Sequence, residues 1–406
     1  MTSALDNGVK GGKWFSLIDK AVRPATLDIA WRKVAANNGA AGVDGESVER
    51  FAARSEDYLR ELSESLSARA YRPSPVKRVE IPKGDGRTRP LGIPTVKDRI
   101  VQTALKMTIE PIFEASFREG SYGFRPGRGA KDALREVDRL IGEGFVHVVD
   151  ADLKSYFDTI PHDRLMALVE AKISDGAILA LIEGFLGQDI MTEMATWRPT
   201  AGTPQGAVIS PLLANVYLHP LDLLMEARGR RMARYADDFV ILCRTNEEAK
   251  AALAEVEAWV AKSGLALNPA KTRVGDCRQP GQGFEFLGYR FEAGRRWARA
   301  KSRKAIRDKV RAKTKRTRGD AMARIVADLN PTLRGWFAYF KHAAKPEFRT
   351  LDGFVRRRLR AILRKQEKRP GFGRCAADQQ RWPNAFFANL GLFTLETAWD
   401  QARRSR

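Results

Sequence analysis

The chain has 406 residues, of which 44% are hydrophobic, and it carries 71 Lys and Arg against 49 Asp and Glu, a formal net charge of +22. That composition excludes wholesale disorder, the length calls for more than one core, and the charge excess points to a polyanionic partner, nucleic acid first. Three widely spaced cysteines, Cys243, Cys277 and Cys375, make neither a zinc knuckle nor a disulfide framework, which suits a reducing compartment.

No apolar run approaches the roughly 18–20 residues of a membrane helix, and the start MTSALDNGVKGGKW lacks the apolar stretch of a signal peptide. The expectation is a cytoplasmic protein, in a bacterial cell, with no membrane partner. Residues 1–40 read as a short polar start and one helix, Ala25 to Asn37, ended by Gly39; the loop GAAGVDGES follows. Leu59, Leu62 and Leu66 give 47–70 helical periodicity. From Tyr71 the chain turns to proline-punctuated extended segments. VKRVEIP and RPLGIP, separated by the turn KGDGRT, predict a β-hairpin. Helix returns over 97–118.

The centre alternates: a strand at 145–153, helices over 161–186, a Gly/Pro loop near 202–206, a helix over 211–226, a strand pair at 232–244 and a helix over 246–264. A short strand pair at 284–291 closes this α+β region. Beyond Trp297 the chain reads as helical and very basic, and the shift near 291–297 sets the main domain boundary. No repeat of about 20–50 residues is visible.

Two acidic strands stand out. RMARYADDFVILCR (231–244) puts Asp237 and Asp238 directly before an apolar run, although Asp is depleted from buried strands. FVHVVDADLKSYFD (145–158) places Asp150 and Asp152 on one strand face, about 85 residues earlier. Carboxylates converging from separate strands are a way to hold a pair of Mg²⁺ ions, which prefer hard oxygen ligands and keep waters and substrate phosphates. Such a pair serves in-line displacement at phosphorus. Spacing alone leaves the choice between Asp150 and Asp152 open.

These blocks resemble reverse transcriptases. Tyr235-Ala236-Asp237-Asp238 is similar to their YADD box and DLKSYFDTIPH (152–162) to their first metal-binding block. PKGDGRTRPLGIPTVKDRIVQTAL (82–105), SYGFRPGRGAKDAL (121–134), GTPQGAVISPLLANVYLHPLD (202–222), LALNPAKTRV (265–274) and FEFLGYRF (284–291) follow in the family's order. With AGVDGESVERF (41–51) they resemble the group II intron subfamily over nearly the whole chain.

The resemblance implies a right-hand polymerase: fingers and palm over 1–290, with an N-terminal extension of about 70 residues, and an α-helical thumb/maturase region over 291–406. It implies that Asp152 and Asp237 are the principal ligands of two Mg²⁺ ions, with Mn²⁺ as a substitute, and that Asp238 supports them. Phe157 matches the steric gate that rejects a 2′-hydroxyl. Lys83 and Arg89 match residues clasping the triphosphate, with Arg99 as a further helper; Gln205 and Lys271 match residues at the nucleotide pocket. The family more often has glycine where Ala207 stands.

Between Arg295 and Arg318 there are thirteen Lys and Arg and one acid, Asp308. Ala305, Ile306, Val310 and Ala312 recur near helical spacing, so one narrow apolar stripe is expected to pack down beneath a basic face suited to an RNA–DNA hybrid. VRRRLRAILRKQEKR (355–369) repeats the theme. Trp336, Phe337, Tyr339 and Phe340, in LNPTLRGWFAYFK (329–341), are expected in a helical core rather than stacked on bases. Residues 329–341 and RWPNAFFANLGLFTLETAW (381–399) resemble the maturase region of group II intron proteins, which grips intron RNA. No C-x-x-C pairs or His-rich tail follow, so no HNH-type endonuclease domain is expected.

The function implied is RNA-directed DNA synthesis from dNTPs, with intron RNA as template and splicing partner, a DNA primer or target, and a second copy of the chain as a further partner. The rivals are an RNA-binding splicing cofactor with a vestigial polymerase site, and a domesticated relative in phage defence or CRISPR adaptation.

Overall fold

The computed structural model describes residues 12–82 and 88–404. Pro24 opens the helix Pro24–Asn37, whose stripe of Leu27, Ala30, Trp31 and Val34 is buried and which Asn38 stops in a left-handed conformation. The helical run expected over 47–70 is two helices, Val48–Ala52 and Ser55–Ser67. The predicted hairpin is β1 (Val76–Pro82) and β2 (Thr88–Ile93), antiparallel with Lys77 opposite Ile93 and Pro82 opposite Thr88. Its turn, with Lys83, lies outside the described residues.

A buried aspartate anchors the start of β1. Asp98, in the helix Val96–Glu114, accepts from the Tyr71 hydroxyl at 2.6 Å and from Thr95 Oγ1 at 2.8 Å. Gln188 Nε2 reaches the same carboxylate at 3.2 Å.

The helix Ala130–Gly142 was not expected from periodicity, yet its signals stand in the chain. Ala133, Val137 and Leu140 recur on one face, and Asp132 accepts the Gly129 N–H at 2.8 Å. Next come β3 (His147–Asp152) and two two-residue strands, β4 (Ile190–Met191) and β5 (Thr196–Trp197). The latter extend the hairpin sheet to the order β2-β1-β4-β5. After the helix Ser210–Ala227, β6 (Arg231–Tyr235) and β7 (Asp238–Cys243) form a second hairpin, and with β8 (Arg273–Asp276) the sheet order is β6-β7-β3-β8. Val148, Val149, Ala151 and Phe239 to Leu242 are all buried there.

The chain separates into two compact units, one of 1–143, 149–243 and 247–273, the other of 144–148, 244–246 and 274–406. In the second, the strand pair expected at 284–291 is three strands: β9 (Phe284–Phe286), β10 (Tyr289–Glu292) and β11 (Arg295–Ala298). The helices Ala300–Lys313, Met322–Phe340, Lys345–Gln366 and Leu395–Arg404 follow, giving a mixed α+β molecule with a helical C-terminal region. The 336–340 aromatics form a core, with Trp336 4.8 Å from Phe340 and Phe337 5.5 Å from Phe348, ring to ring.

Two expectations about the basic helices are corrected. In Ala300–Lys313 only Ile306 and Val310 of the four stripe residues are buried; Ala305 and Ala312 face solvent. In Lys345–Gln366, three arginines serve structure. Arg358 holds the Thr314 hydroxyl oxygen at 3.0 Å, Arg360 the Trp382 carbonyl at 2.9 Å and Arg364 the Asp378 carboxylate at 2.5 Å. The reason is geometric: with Val355, Leu359 and Ile362 turned inward, arginines at intervening positions flank the seam and satisfy backbone groups beside it.

Candidate active site

Tyr235 pairs with Asp238, so Ala236 and Asp237 are the two-residue turn of the β6–β7 hairpin. Ala236 has φ 59°, a conformation such turns usually give to glycine, and it costs on the order of 1–3 kcal/mol in a residue with a Cβ. Arg234 holds the turn from beneath. It is fully buried; Nη1 donates to the Ala236 carbonyl and to Asn215 Oδ1, both at 3.0 Å, and Nη2 donates to Ser121 Oγ at 2.7 Å. Nε and Nη2 clasp Asp222 at 2.7 and 2.5 Å. Burial works against the Arg234 charge, but Asp222 more than offsets it and holds the pKa above the ordinary arginine value. Gly123 lies against the turn so closely that a Cβ would collide with the Ala236 backbone nitrogen.

Asp152 ends β3, and the next strand-like contact, Leu153 with Leu267, brings the 265–274 segment alongside. Asn268 donates from its backbone to the Asp152 carbonyl at 2.8 Å and from Nδ2 to Oδ2 at 3.3 Å; Lys271 Nζ meets the same Oδ2 at 2.9 Å. Asp150 pairs instead with Arg273 at 3.5 Å. Burial pushes the Asp237 carboxyl above the usual range, and the nearby Asp152 charge adds to this, against the pull of its own backbone hydrogen bond, Lys271 and Arg234. Asp238 follows the turn as the first residue of β7.

A second cluster surrounds Phe157. Thr203 N–H donates to the Phe157 carbonyl at 2.6 Å, Gly202 N–H to the Ile160 carbonyl at 2.8 Å, and His162 Nε2 lies 2.6 Å from the Gly202 carbonyl. Gln205 Nε2 lies 3.2 Å from both oxygens of Asp158. The close neighbours of the glycines of GTPQG are the protein's own backbone. A Cβ on Gly202 (φ +91°) would stand 2.8 Å from the Asp158 carbonyl, and one on Gly206 (φ +112°) would collide with the Gly92 carbonyl. Gly92 N–H in turn donates to the Gln205 carbonyl at 2.6 Å, tying β2, which carries Arg89, to this loop. A cleft of about 300 Å³ opens beside Phe157, lined also by Arg78, Trp197 and Pro204.

Residues 81–291 match the reverse transcriptase (RNA-dependent DNA polymerase) family, and 303–382 match the maturase-specific domain of group II introns. The chain belongs to the group II intron reverse transcriptase/maturase family. Protein YkfC of Escherichia coli K12 is 35% identical over 68% of this chain and 82% of its own. Group II intron-encoded protein LtrA of Lactococcus lactis is 37% identical over 50% of this chain, which is 33% of LtrA. A solved Cas6-RT-Cas1–Cas2 complex overlaps 61% of this chain and 41% of its own at 26% identity, with a TM-score of only 0.38.

In this reverse transcriptase, Asp152, Asp237 and Lys271 come together, and Phe157 and Gln205 share a second cluster to which Arg89 is connected through β2. Arg99 does not join them: it is 7% exposed and donates to the Ala40 carbonyl at 2.7 Å, which removes it as a phosphate helper. Among the described residues no group of three or more His, Cys, Asp or Glu is placed to hold a metal, and no helix is long and apolar enough to cross a membrane. The Asp152–Asp237 pair nevertheless suits Mg²⁺, which is typically held by one or two carboxylates with water and substrate phosphates completing its shell. Arg234, Asp222, Asn268 and Asp158 were not singled out from sequence. An arginine in the otherwise apolar MARY strand, twelve residues after the only Asp of its preceding helix, was the signal available for the first pair.

Proposed function

We propose that this chain extends a DNA primer on an RNA template, and that it binds intron RNA to assist splicing and retrohoming. The supporting observation is the placement of Asp237 on a buttressed turn beside Asp152, where burial and the neighbouring Asp152 charge leave the Asp237 carboxylate in want of a cation. Asp152 and Asp237 would hold the metals, with Asp238 in support from β7. When bound, two Mg²⁺ ions supply activation of the primer 3′-hydroxyl and stabilisation of the leaving oxygen; Mn²⁺ is a substitute.

The remaining work falls to this chain's own side chains. Phe157 packs beneath the sugar and excludes a 2′-hydroxyl, while Gln205 borders the base and sugar of the dNTP. Arg89 and Lys83 offset charge on the triphosphate. Lys271, already on Asp152, keeps that carboxylate aimed. Residues 1–290 are the fingers and palm and 291–406 the thumb/maturase region, whose exposed cations face RNA. The test is primer extension on an RNA template with the wild type and Asp237→Ala. The expected result is Mg²⁺-dependent cDNA from the first and a loss of about 10³-fold or more from the second, with RNA binding kept. No cDNA from the wild type would leave only a splicing cofactor.

A further inference from the structure

The loop KRPGFGRC, between the helices Lys345–Gln366 and Ala376–Arg381, carries Phe372 at 63% exposure. Leaving a phenylalanine in water forgoes the favourable free energy of burying its ring. The loop that does so is clamped. Lys368, Gly371 and Gly373 all adopt positive φ (58°, 101° and 70°), and a Cβ on Gly373 would stand 2.8 Å from the Ala361 backbone nitrogen. Arg369 N–H donates to the Arg364 carbonyl at 2.8 Å, and Arg364 Nε returns to the Pro370 carbonyl at 2.7 Å. Both sides of Phe372 are therefore pinned to the helix, and the ring is presented rather than loose.

The surroundings define the partner. The Arg316 guanidinium lies 4.8 Å from the ring centroid, a cation on the aromatic ring. Lys315, Lys365, Lys368, Arg369 and Arg374 are exposed. The acids of the same stretch are engaged, Glu367 with Arg381 at 2.9 Å and Asp378 with Arg364. Burial, then Arg311, Arg316 and Arg357, hold Arg358 below the ordinary arginine pKa, a sign of positive charge packed on positive charge. An acidic peptide would satisfy the cations and leave the ring idle, and a duplex hides its base faces. A flat π-system flanked by phosphates satisfies both.

We propose that Phe372 and Arg316 form a stacking platform for one unpaired nucleobase, with the flanking phosphates on Lys368, Arg369 and Arg374. This deepens the RNA-binding reading above and rests on its nucleic-acid part. The full chain is titrated with a single-stranded RNA of about 12 nucleotides, the same sequence as DNA, and the RNA annealed to its complement. Phe372→Ala is expected to weaken single-strand binding about 10-fold and duplex binding by less than about 2-fold, on the scale of one lost base–aromatic stack. Phe372→Trp restores affinity, Phe372→Leu does not, and a 5-iodouridine photo-adduct maps to Phe372. A larger loss on RNA or on DNA assigns the strand; equal losses assign the site to base and phosphate alone.

Unchanged single-strand affinity in Phe372→Ala, equal losses on single strand and duplex, or full rescue by leucine overturns the proposal. If the wild type fails to bind its intron RNA yet keeps the stack, the maturase reading fails by itself. If intron RNA binds and Phe372→Ala changes nothing, only the platform fails.

Discussion

Asp237 is an acid the fold holds at a cost. Burial first, and then Asp152, raise its folded pKa above the unfolded value of about 3.8, so the folded chain binds the extra proton between the two values. Stability therefore falls as pH rises through that window and stays lower at neutral pH. Asp237→Asn is expected to raise the Tm of the divalent-free protein at pH 7 by roughly 2–4 °C, the equivalent of about 1 kcal/mol in a domain of this size. The gain should vanish as pH drops toward 3.8. Thermal scans in chelator check this, and a lower Tm for the variant at pH 7 would show the carboxylate to be stabilising. Phe157 is tested by sugar selectivity. Phe157→Ala should admit ribonucleotides at least about 10-fold better relative to dNTPs, read as a ratio of kcat/KM values, because the ring supplies a clash rather than an attraction.

At the scale of elements, the β6–β7 turn depends on a residue that touches no substrate in the proposed reaction. Arg234→Met would strand Asp222 in the core and release the Ala236 carbonyl, for an expected loss of about 3–5 kcal/mol in urea denaturation. Arg234→Met with Asp222→Leu should recover most of it, since an apolar pair of similar volume needs no counter-charge. Legibility from sequence follows the same division. The β1–β2 hairpin, the 210–227 helix and the β6–β7 pair were readable because period and turn residues agree there. β4 and β5 were not, because two residues carry no period, and β11 was hidden by Arg295 and Arg296 in an edge strand. Asp152, Asp237 and Phe157 were legible as motif residues. Asn268 and Asp158 were not, because their roles lie in contacts 116 and 47 residues distant along the chain.

At the scale of the whole molecule the charge matters most. On the Ala300–Lys313 helix, Lys304 and Arg311 both engage Asp308, at 2.9 and 2.5 Å, while Lys301 and Lys309 are exposed without such a pairing among the described residues. The double change Lys301→Gln, Lys309→Gln should reduce the slope of log K against log salt for RNA–DNA hybrid binding by roughly 0.7–0.9 per lost phosphate contact. An unchanged slope would make that face a solvated surface only.

The Asn268–Lys271 clasp on Asp152 also has a meaning in time. A chain emerging from the ribosome at about 5–20 residues per second delivers Asp152 long before its partners. Asn268 follows 116 residues later, which is roughly 6–23 s at that pace. During that interval the nascent protein holds an acid whose lysine has not yet been made, so the Asp152 corner is among the last parts of its unit to close.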